Sequence, residues 1–442
     1  MAVQPEDIRL FANHSFRRLI ESRAIGQIGQ SALLFTLLLI IIDEKDSSLY
    51  STALVIAFIL PSILLGLIAG GLADILPRRP VLVLGYLVRM GIVVLMIFEK
   101  ESVWNLYVLA FIFSSVGQVT GPSEAASLPV LVGRERLAAA NSWMVLSVML
   151  GQAAGTVALA PFMIKLFGFT ASLSVSAAVF VGAALLILAA TDMSRRGEPP
   201  PREGTGLFEA MAAGWRVLRT SRPAFQALVY LTVVGTLSKA LAVLAPRYTR
   251  DVLHIETENV VFIVAPAAIG ALLALLITPP LARVMGSLRV AVVGFLLYVT
   301  GIMALGAIAL VQDTIAENLQ LEPGLSFVES EVGVSSIITM AMILAIPIGF
   351  AATMAGVAGR AVLNEEAPEG KQGRVFATQS ALSDAISLGP LLAIGGVAEL
   401  VGVREELLVA ALTSLVAGVY LALSRRFGPP PEPAPAGASP YQ

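Results

Sequence analysis

Twelve apolar stretches, each long enough to cross a bilayer as a helix, make up most of this chain. A hydrocarbon core about 30 Å thick needs about 20 helical residues. The stretches lie near residues 20–42, 51–73, 81–98, 103–122, 138–164, 170–190, 225–245, 260–282, 289–311, 335–359, 373–399 and 405–424. They lack the alternation of barrel strands, and backbone polar groups in lipid must be satisfied within a helix. The pattern therefore predicts an all-α polytopic membrane protein with twelve transmembrane helices.

Composition excludes several classes of function. The chain is 57% hydrophobic and only 14% charged, with a mean hydropathy of +0.83, whereas soluble domains have about 25% charged residues. It has no Cys, so disulfides and thiolate sites are excluded. With only His14 and His254, and no phosphate-binding Gly-Lys loop, the sequence predicts no enzyme, cofactor or metal site. A net charge of −2 without a basic stripe predicts no nucleic-acid partner.

The distribution of Lys and Arg predicts the orientation. Of the 29 Lys and Arg residues, 21 lie in the N-terminal region, the even-numbered loops and the C-terminal region, and six lie in the odd-numbered loops. The other two, Arg89 and Lys239, fall within predicted spans. Because cytoplasmic loops are enriched in Lys and Arg, both termini are predicted to be cytoplasmic. The first apolar stretch is longer than the core of a signal peptide, so we expect a first helix rather than a cleaved signal.

The longest cytoplasmic break divides the chain into two six-helix bundles, residues 1–190 and 225–427, joined by a linker at 191–224. The linker ends in the amphipathic stretch LFEAMAAGWRVLRT, which predicts either a helix lying at the membrane surface or a plain linker helix. Residues 428–442 are rich in Pro and are predicted to be disordered.

The two bundles contain weakly similar segments. Residues 121–150 and 359–388 align so that Arg136 matches Arg374 and Ser142 matches Ser380. Internal duplication of this kind is typical of transporters that bind substrate between their two halves.

A short motif follows the second predicted span, at Gly70–Pro80 (GGLADILPRRP). Gly70 and Gly71 allow another helix to approach closely. Asp74 ends the helix, where a carboxylate favours the N-terminus of a neighbouring helix. Arg78 and Arg79 follow in a turn, placed to pair across the interface between bundles or with lipid phosphate. We expect this motif to act as a cytoplasmic gate.

The motif resembles the G-x-L-A-D-x-x-x-R-[KR] signature of the major facilitator superfamily, and with twelve spans the resemblance covers the whole chain. In the second half the chain reads PPLARVMGSLR, where Arg283 replaces the acid, so no second gate is expected. The segments FRRLIESRAIGQIGQSALLFTL, GPSEAASLPVLVGRERLAAANSW and EGKQGRVFAT resemble macrolide-efflux-type drug:proton antiporters, although Gln30 stands where that branch often has a small or acidic residue. This resemblance implies export of an amphiphile in exchange for protons. Lysophospholipid transporters share the pattern.

Ionisable residues within spans are costly and so are functional candidates. Asp384 and Lys239 lie near the middle of the eleventh and seventh spans, where they would serve as a proton-coupling pair or as a static, self-neutralising pair. Glu124, at the end of span four, is a third coupling candidate or a solvated or paired surface acid. Arg89, in span three, is either a gating residue or part of a fixed pair with an acid such as Glu124 or with lipid phosphate.

The predicted substrate cavity is mainly apolar, because the spans contain few hydrogen-bonding residues but many aromatic and Met side chains. The candidate lining residues are Gln30, Phe35, Gln118, Asn141, Trp143, Tyr230, Met354 and Gln379. We therefore expect a secondary transporter of a small amphiphilic or hydrophobic molecule, whose partners are that substrate, protons and membrane lipids. We also expect a monomer in the inner membrane of a prokaryotic cell.

Overall fold

The computed structural model describes residues 10–45, 48–132, 136–190, 215–253, 261–318, 336–367 and 372–423. Within these ranges some side chains lie outside the description. They are those of residues 67–75, 129, 137–139, 141–142, 261–262, 309–318, 336, 372–374, 377, 395–401 and 421–423.

The described residues form α-helices, one π-helical segment and no strand, which confirms the predicted all-α class. The α-helices are α1 His14–Lys45, α2 Ser48–Ile75, α3 Arg78–Phe98, α4 Val103–Val132, α5 Leu137–Ala153, α6 Ala160–Leu188, α7 Arg222–Asp251, α8 Val261–Met285, α9 Ser287–Asn318, α10 Ser336–Glu366, α11 Gln372–Val401 and α12 Val403–Leu423. The π-helical segment, Ala154–Leu159, joins α5 to α6.

Nine helices in the described part of the chain are long and apolar enough to cross a membrane. One of them, Trp143–Leu188, has 46 residues. At about 1.5 Å per residue it would be about twice as long as a bilayer core is thick. Gly168 breaks it with φ 80° and ψ 176°, a conformation that glycine adopts without strain. α11 and α12 are not among the nine, so the count of twelve spans and the cytoplasmic placement of both termini stay predictions.

Helix packing repeats between the two halves of the chain. In the first half α2 packs on α4, and α3 packs on α4 and α6. In the second half α8 packs on α10, and α9 packs on α10 and α12, which is the same pattern shifted by six helices. Between the halves, α2 contacts α11 and α7, while α1 contacts α7 and the π-helical segment contacts α8. This arrangement agrees with an internal duplication.

The end of the linker forms a short helix, at residues 215–220. Its Leu218 is buried in a cluster with Val362 and Val375, while Trp215 and Arg216 are exposed. The stretch is thus amphipathic, and its apolar side packs on the second half. Residues 191–214 and 428–442 lie outside the described residues, so the domain boundaries and the disordered tail stay predictions.

Small residues bring α5 against α1. A Cβ atom at Gly151 would lie 2.6 Å from the carbonyl oxygen of Ala24, and one at Gly155 would lie 2.9 Å from the Cβ of Ser31. The sequence GQAAG predicts this close packing, along with a kink near Pro161. The irregularity takes the form of the π-helical segment directly before Pro161. Such segments arise where the regular helical hydrogen-bond ladder is interrupted.

We expect Gly155→Ala to destabilise the protein by about 1–3 kcal/mol, because the added methyl would overlap α1. The measurement is thermal unfolding of the purified protein in detergent. Gly182→Ala in α6 is the matched control, since a Cβ there meets no atom within 4 Å. Equal melting temperatures for the two variants would contradict the close contact of the π-helical segment with α1.

Candidate functional site

An ion pair joins α7 and α11 near their middles. Lys239 Nζ lies 2.7 Å from Asp384 Oδ1, and both side chains are about a quarter exposed. Asp384 is twelve residues from the start of α11, which places it about 18 Å along the helix. The pairing that the sequence offered as one possibility is therefore present in the structure.

The ion pair is held by two further hydroxyl groups. Ser62 Oγ, on α2 in the first half, donates to Asp384 Oδ2 over 2.7 Å. Lys239 Nζ also donates to Ser387 Oγ over 3.0 Å. Each carboxylate oxygen of Asp384 thus has its own donor, and one of these donors comes from the opposite half of the molecule.

A cavity of about 310 Å³ lies between the halves, beside this ion pair but not lined by it. It is bounded by α1, α5, the π-helical segment, α7, α8, α9 and α10. Most lining residues are apolar, and none of the described residues in the lining is charged. The polar ones are Ser31, Gln152, Thr156, Ser238, Tyr248 and Tyr298. A small pocket with few polar groups suits a molecule with few hydrogen-bonding groups.

The polar groups of the cavity are fixed by local contacts. Gln27 Nε2 donates to Ser31 Oγ over 3.1 Å, and Ser238 Oγ lies 2.9 Å from Tyr298 Oη. Thr156 lies within the π-helical segment and Gln152 just before it. Thr156 of the π-helical segment, Gln152 at the end of α5 and Ser31 of α1 are thus polar lining residues that the first half contributes.

Of the eight predicted lining residues, Phe35 lines this cavity. Tyr230 is buried with its ring 4.9 Å from that of Phe295, and Met354 is buried among α8, α9 and α10. Trp143 meets Phe11 edge to face at 4.8 Å. The structure thus places Tyr230, Met354 and Trp143 in helix packing rather than on this cavity wall.

The remaining predicted lining residues are amides. Gln379 Nε2 donates to Ser383 Oγ over 3.0 Å on its own helix. Gln118 and Gln30 are half-buried and do not line this cavity, and the side chain of Asn141 lies outside the description. Their roles in substrate binding stay predictions.

Glu124 lies inside α4, because that helix continues to Val132, ten residues beyond the predicted span end at 122. It is only 4% exposed, so it is a buried, paired acid rather than a solvated one. Arg23 Nη1 lies 3.2 Å from Glu124 Oε2, and Tyr86 Oη donates to Glu124 Oε1 over 2.8 Å. All of these partners belong to the first half.

Arg89 is buried at 5% exposure, with its guanidinium over the ring of Phe113 at 4.9 Å from the ring centre. The Arg89 guanidinium also contacts Gly117, where an added Cβ atom would overlap it. Among the described residues its Nε has no hydrogen-bond partner. The expected Arg89–Glu124 pair is therefore replaced by an Arg23–Glu124 pair and a cation–π contact.

The gating motif is described in part. Arg78 and Arg79 are half-buried, while the side chains of Gly70, Gly71 and Asp74 lie outside the description. Arg79 Nη2 donates to the carbonyl oxygen of Leu188, at the C-terminal end of α6. A cation at a helix C-terminus is favourable. In this conformation Arg79 therefore binds within its own half rather than across the interface.

The ends predicted to lie outside the cell are joined across the interface. Arg247 Nη1, near the end of α7, donates to Ser48 Oγ at the start of α2 over 3.1 Å. Phe35 and Leu39 of α1 share a buried cluster with Ala245 of α7 and Val264 of α8. These contacts join the two halves at that end of the cavity.

Sequence reasoning missed Ser62, Ser387, Thr156 and Tyr298. Hydroxyl groups within helices commonly bond to the preceding turn of their own helix, so an isolated Ser carries no signal of a long-range partner. The only available signal is that Ser387 lies three residues after Asp384, on the same helix face.

The fold and the cavity are those of a membrane transporter. Two packed helix bundles enclose an apolar cavity, and the described residues include no group of three His, Asp or Glu that could hold a metal ion. The chain belongs to the Major Facilitator Superfamily, whose family model matches residues 22–319.

Solved structures of transporters share the fold. A mutant of the nucleoside transporter NupG has a TM-score of 0.69 at 12% identity, covering 93% of this chain and 100% of that chain. The POT family transporter PepTSo has the same score and identity, with coverages of 93% and 97%. A bacterial homolog of the human lysosomal transporter Spinster, inward-facing and unoccupied, scores 0.69 at 14% identity, with coverages of 93% and 97%. No curated protein sequence matches the chain.

We expect Glu124→Gln to destabilise the folded protein by about 2–4 kcal/mol, because it leaves Arg23 unpaired in a largely buried site. Glu21→Gln is the matched control. Glu21 pairs with Arg17 and Arg18 at an exposed surface, where ion pairs contribute roughly 0–1 kcal/mol. Thermal unfolding in detergent measures both. A Glu124→Gln melting temperature equal to that of Glu21→Gln would show that the buried pair is not structural.

Proposed function

We propose that this protein is a secondary active transporter that exports a small amphiphilic or hydrophobic molecule in exchange for protons. The two helix bundles rock about the central cavity to expose it to either side of the membrane. The observation that carries the proposal is the Lys239–Asp384 pair, which lies in the interior of the bundle, is partly exposed, and is bonded across the interface to Ser62.

Asp384 is the proposed proton carrier, with Lys239 as its partner. When the Asp384 carboxylate takes up a proton it becomes neutral and no longer pairs with the ammonium group of Lys239. Protonation therefore changes the net charge at the interface between the halves. Glu124 is less suited to this role, because Arg23 and Tyr86 bind both of its oxygens within one half.

The substrate is proposed from the cavity lining. An amphiphile places its apolar part against residues such as Leu34, Phe35 and Ile348 and its polar end near Gln152 or Thr156. The apolar lining supports our proposal that this chain belongs to the branch of macrolide-efflux-type antiporters, which its sequence resembles. An apolar wall fits a lipid chain equally well, so translocation of a lysophospholipid, with or without protons, is the alternative function.

The conformation supports alternating access. The contact of Arg247 with Ser48 and the cluster around Phe35 and Leu39 close the end that the Lys and Arg distribution places outside the cell. In the opposite state the cytoplasmic end would close, and the motif with Gly70, Gly71, Asp74, Arg78 and Arg79 is proposed to form that gate. Arg89 is proposed to stabilise the first bundle rather than to gate. The proposed setting is the inner membrane of a prokaryotic cell, as a monomer.

We expect Asp384→Asn to abolish transport driven by a pH gradient, because the amide cannot exchange a proton. The measurement is movement of a lipophilic cationic dye in liposomes that contain the purified protein, with and without an imposed gradient. Asp43→Asn, which alters an exposed carboxylate near the end of α1, is the control and should transport normally.

Gradient-driven transport that persists in Asp384→Asn would exclude Asp384 as the carrier. If the wild-type protein moves no dye, the same liposomes are tested with labelled lysophospholipid. Movement of the lipid without the dye would favour the alternative function.

Cross-linking tests the closed outer end. The natural chain has no Cys, so the double variant Ser48→Cys, Arg247→Cys offers a single reactive pair. We expect a short thiol-specific cross-linker to join the two residues and to stop transport, because α2 and α7 must separate at this end. Reductive cleavage of the linker should restore activity, and each single variant serves as a control. Full transport by cross-linked protein would contradict rocking at this position.

A further inference from the structure

Ser62 has two acceptors for one proton. Its Oγ lies 2.7 Å from Asp384 Oδ2 and 2.8 Å from the carbonyl oxygen of Ile59, one turn back on α2. A hydroxyl donates one hydrogen bond and accepts up to two. Ser62 therefore donates either across the interface to the carboxylate or back into its own helix, but not fully to both.

Lys239 also has an alternative acceptor. Its Nζ lies 2.7 Å from Asp384 Oδ1 and 3.0 Å from Ser387 Oγ. Ser387 is fully buried, and its hydroxyl donates to the backbone carbonyl of Asp384 over 2.9 Å. Its lone pairs thus face Lys239 and remain available when the carboxylate changes its charge.

These second acceptors allow Asp384 to take up a proton without leaving the partly buried donors of Ser62 and Lys239 unpaired. A donor that loses its partner in a buried site costs far more than the net value of the lost bond. When Asp384 is protonated, Ser62 can turn its proton to Ile59 and accept the Asp384 O–H, while Lys239 keeps Ser387. The network therefore has satisfied hydrogen bonds in both protonation states.

We propose that Ser62 is a positioning residue that links the protonation of Asp384 to the contact between the two halves. Hydrogen bonds to a charged acceptor are roughly twice as strong as neutral ones. The Ser62–Asp384 bond joins α2 to α11, so it holds the halves together while Asp384 is ionised and weakens when Asp384 is protonated. This inference rests on the proposed proton-coupled transport.

Lys239 and Ser62 are the groups placed to respond to a change in the charge of Asp384. Lys239 is the charged group of α7 that contacts it. The other charged residues of α11 and of the helices packed against it lie toward helix ends: Arg374 and Glu399 on α11, Asp74 on α2, Arg222, Arg247, Arg250 and Asp251 on α7, Arg360, Glu365 and Glu366 on α10, and Arg404, Glu405 and Glu406 on α12. Of the tyrosines on these helices, Tyr50 and Tyr420 also lie near helix ends, Tyr230 packs on Phe295, and Tyr248 donates to the carbonyl oxygen of Leu305. Asp74 is twelve residues from Ser62, about 18 Å along α2.

The test compares Ser62→Ala and Ser62→Thr in the liposome assay over a range of pH. We expect Ser62→Ala to shift the pH of half-maximal transport upward by about one unit, because the ionised carboxylate loses a donor. One unit corresponds to about 1.4 kcal/mol. Ser62→Thr keeps the hydroxyl and should restore the wild-type profile. Ser115→Ala is the control, since Ser115 donates to Phe111 within α4.

The outcomes separate this inference from the function on which it rests. A wild-type pH profile in Ser62→Ala, with gradient-driven transport lost in Asp384→Asn, would overturn the role of Ser62 alone. Gradient-driven transport that persists in Asp384→Asn would overturn proton carriage by Asp384 and the role of Ser62 with it. A Ser62→Ala protein that is slower at every pH, with an unshifted midpoint, would show a purely structural effect and also overturn the inference.

Discussion

A carboxylate and an ammonium in the middle of apolar helices must find each other, because neither charge is stable in that surrounding alone. The Lys239–Asp384 contact therefore fixes how α7 and α11 are rotated against each other. It also fixes where the first half can sit, because Ser62 of α2 completes the coordination of the carboxylate. The interface between the halves is thus organised around one ion pair, and apolar side chains pack around that pair.

α7 connects the ion pair to the cavity. Ser238 lines the cavity and Lys239, the next residue, binds Asp384. Successive residues on an α-helix point about 100° apart, so one turn of α7 faces both sites at once. Tyr298 bonds to Ser238 and is therefore also sensitive to any rotation of α7. A change at the ion pair that turns α7 would alter the cavity wall directly, without a longer chain of contacts.

The sequence predicted the all-α class, because long apolar runs are a strong local signal. Isolated charges within those runs are an equally local signal, and the functional roles assigned to them stay predictions. It also predicted the close packing at Gly151, since two small residues four apart share a helix face. It did not predict which arginine pairs with Glu124, because Arg23 and Arg89 are both within reach and only helix rotation separates them. Nor could it reveal the contact of Ser62 with Asp384, which joins residues 322 positions apart with no charge pattern on one side.

The two halves differ in how their buried charges are satisfied, and this difference favours Asp384 over Glu124 as the coupling group. Glu124 finds Arg23 and Tyr86 within the first half, so a rigid rocking of that half leaves its partners in place. Asp384 draws one partner from each half, Lys239 from its own and Ser62 from the other. The proposed rocking would change the surroundings of Asp384 and would leave those of Glu124 in place. By reciprocity, a change in the charge of Asp384 would then bias the proposed rocking, whereas a change in a charge whose partners all lie within one rigid bundle would have a much smaller effect.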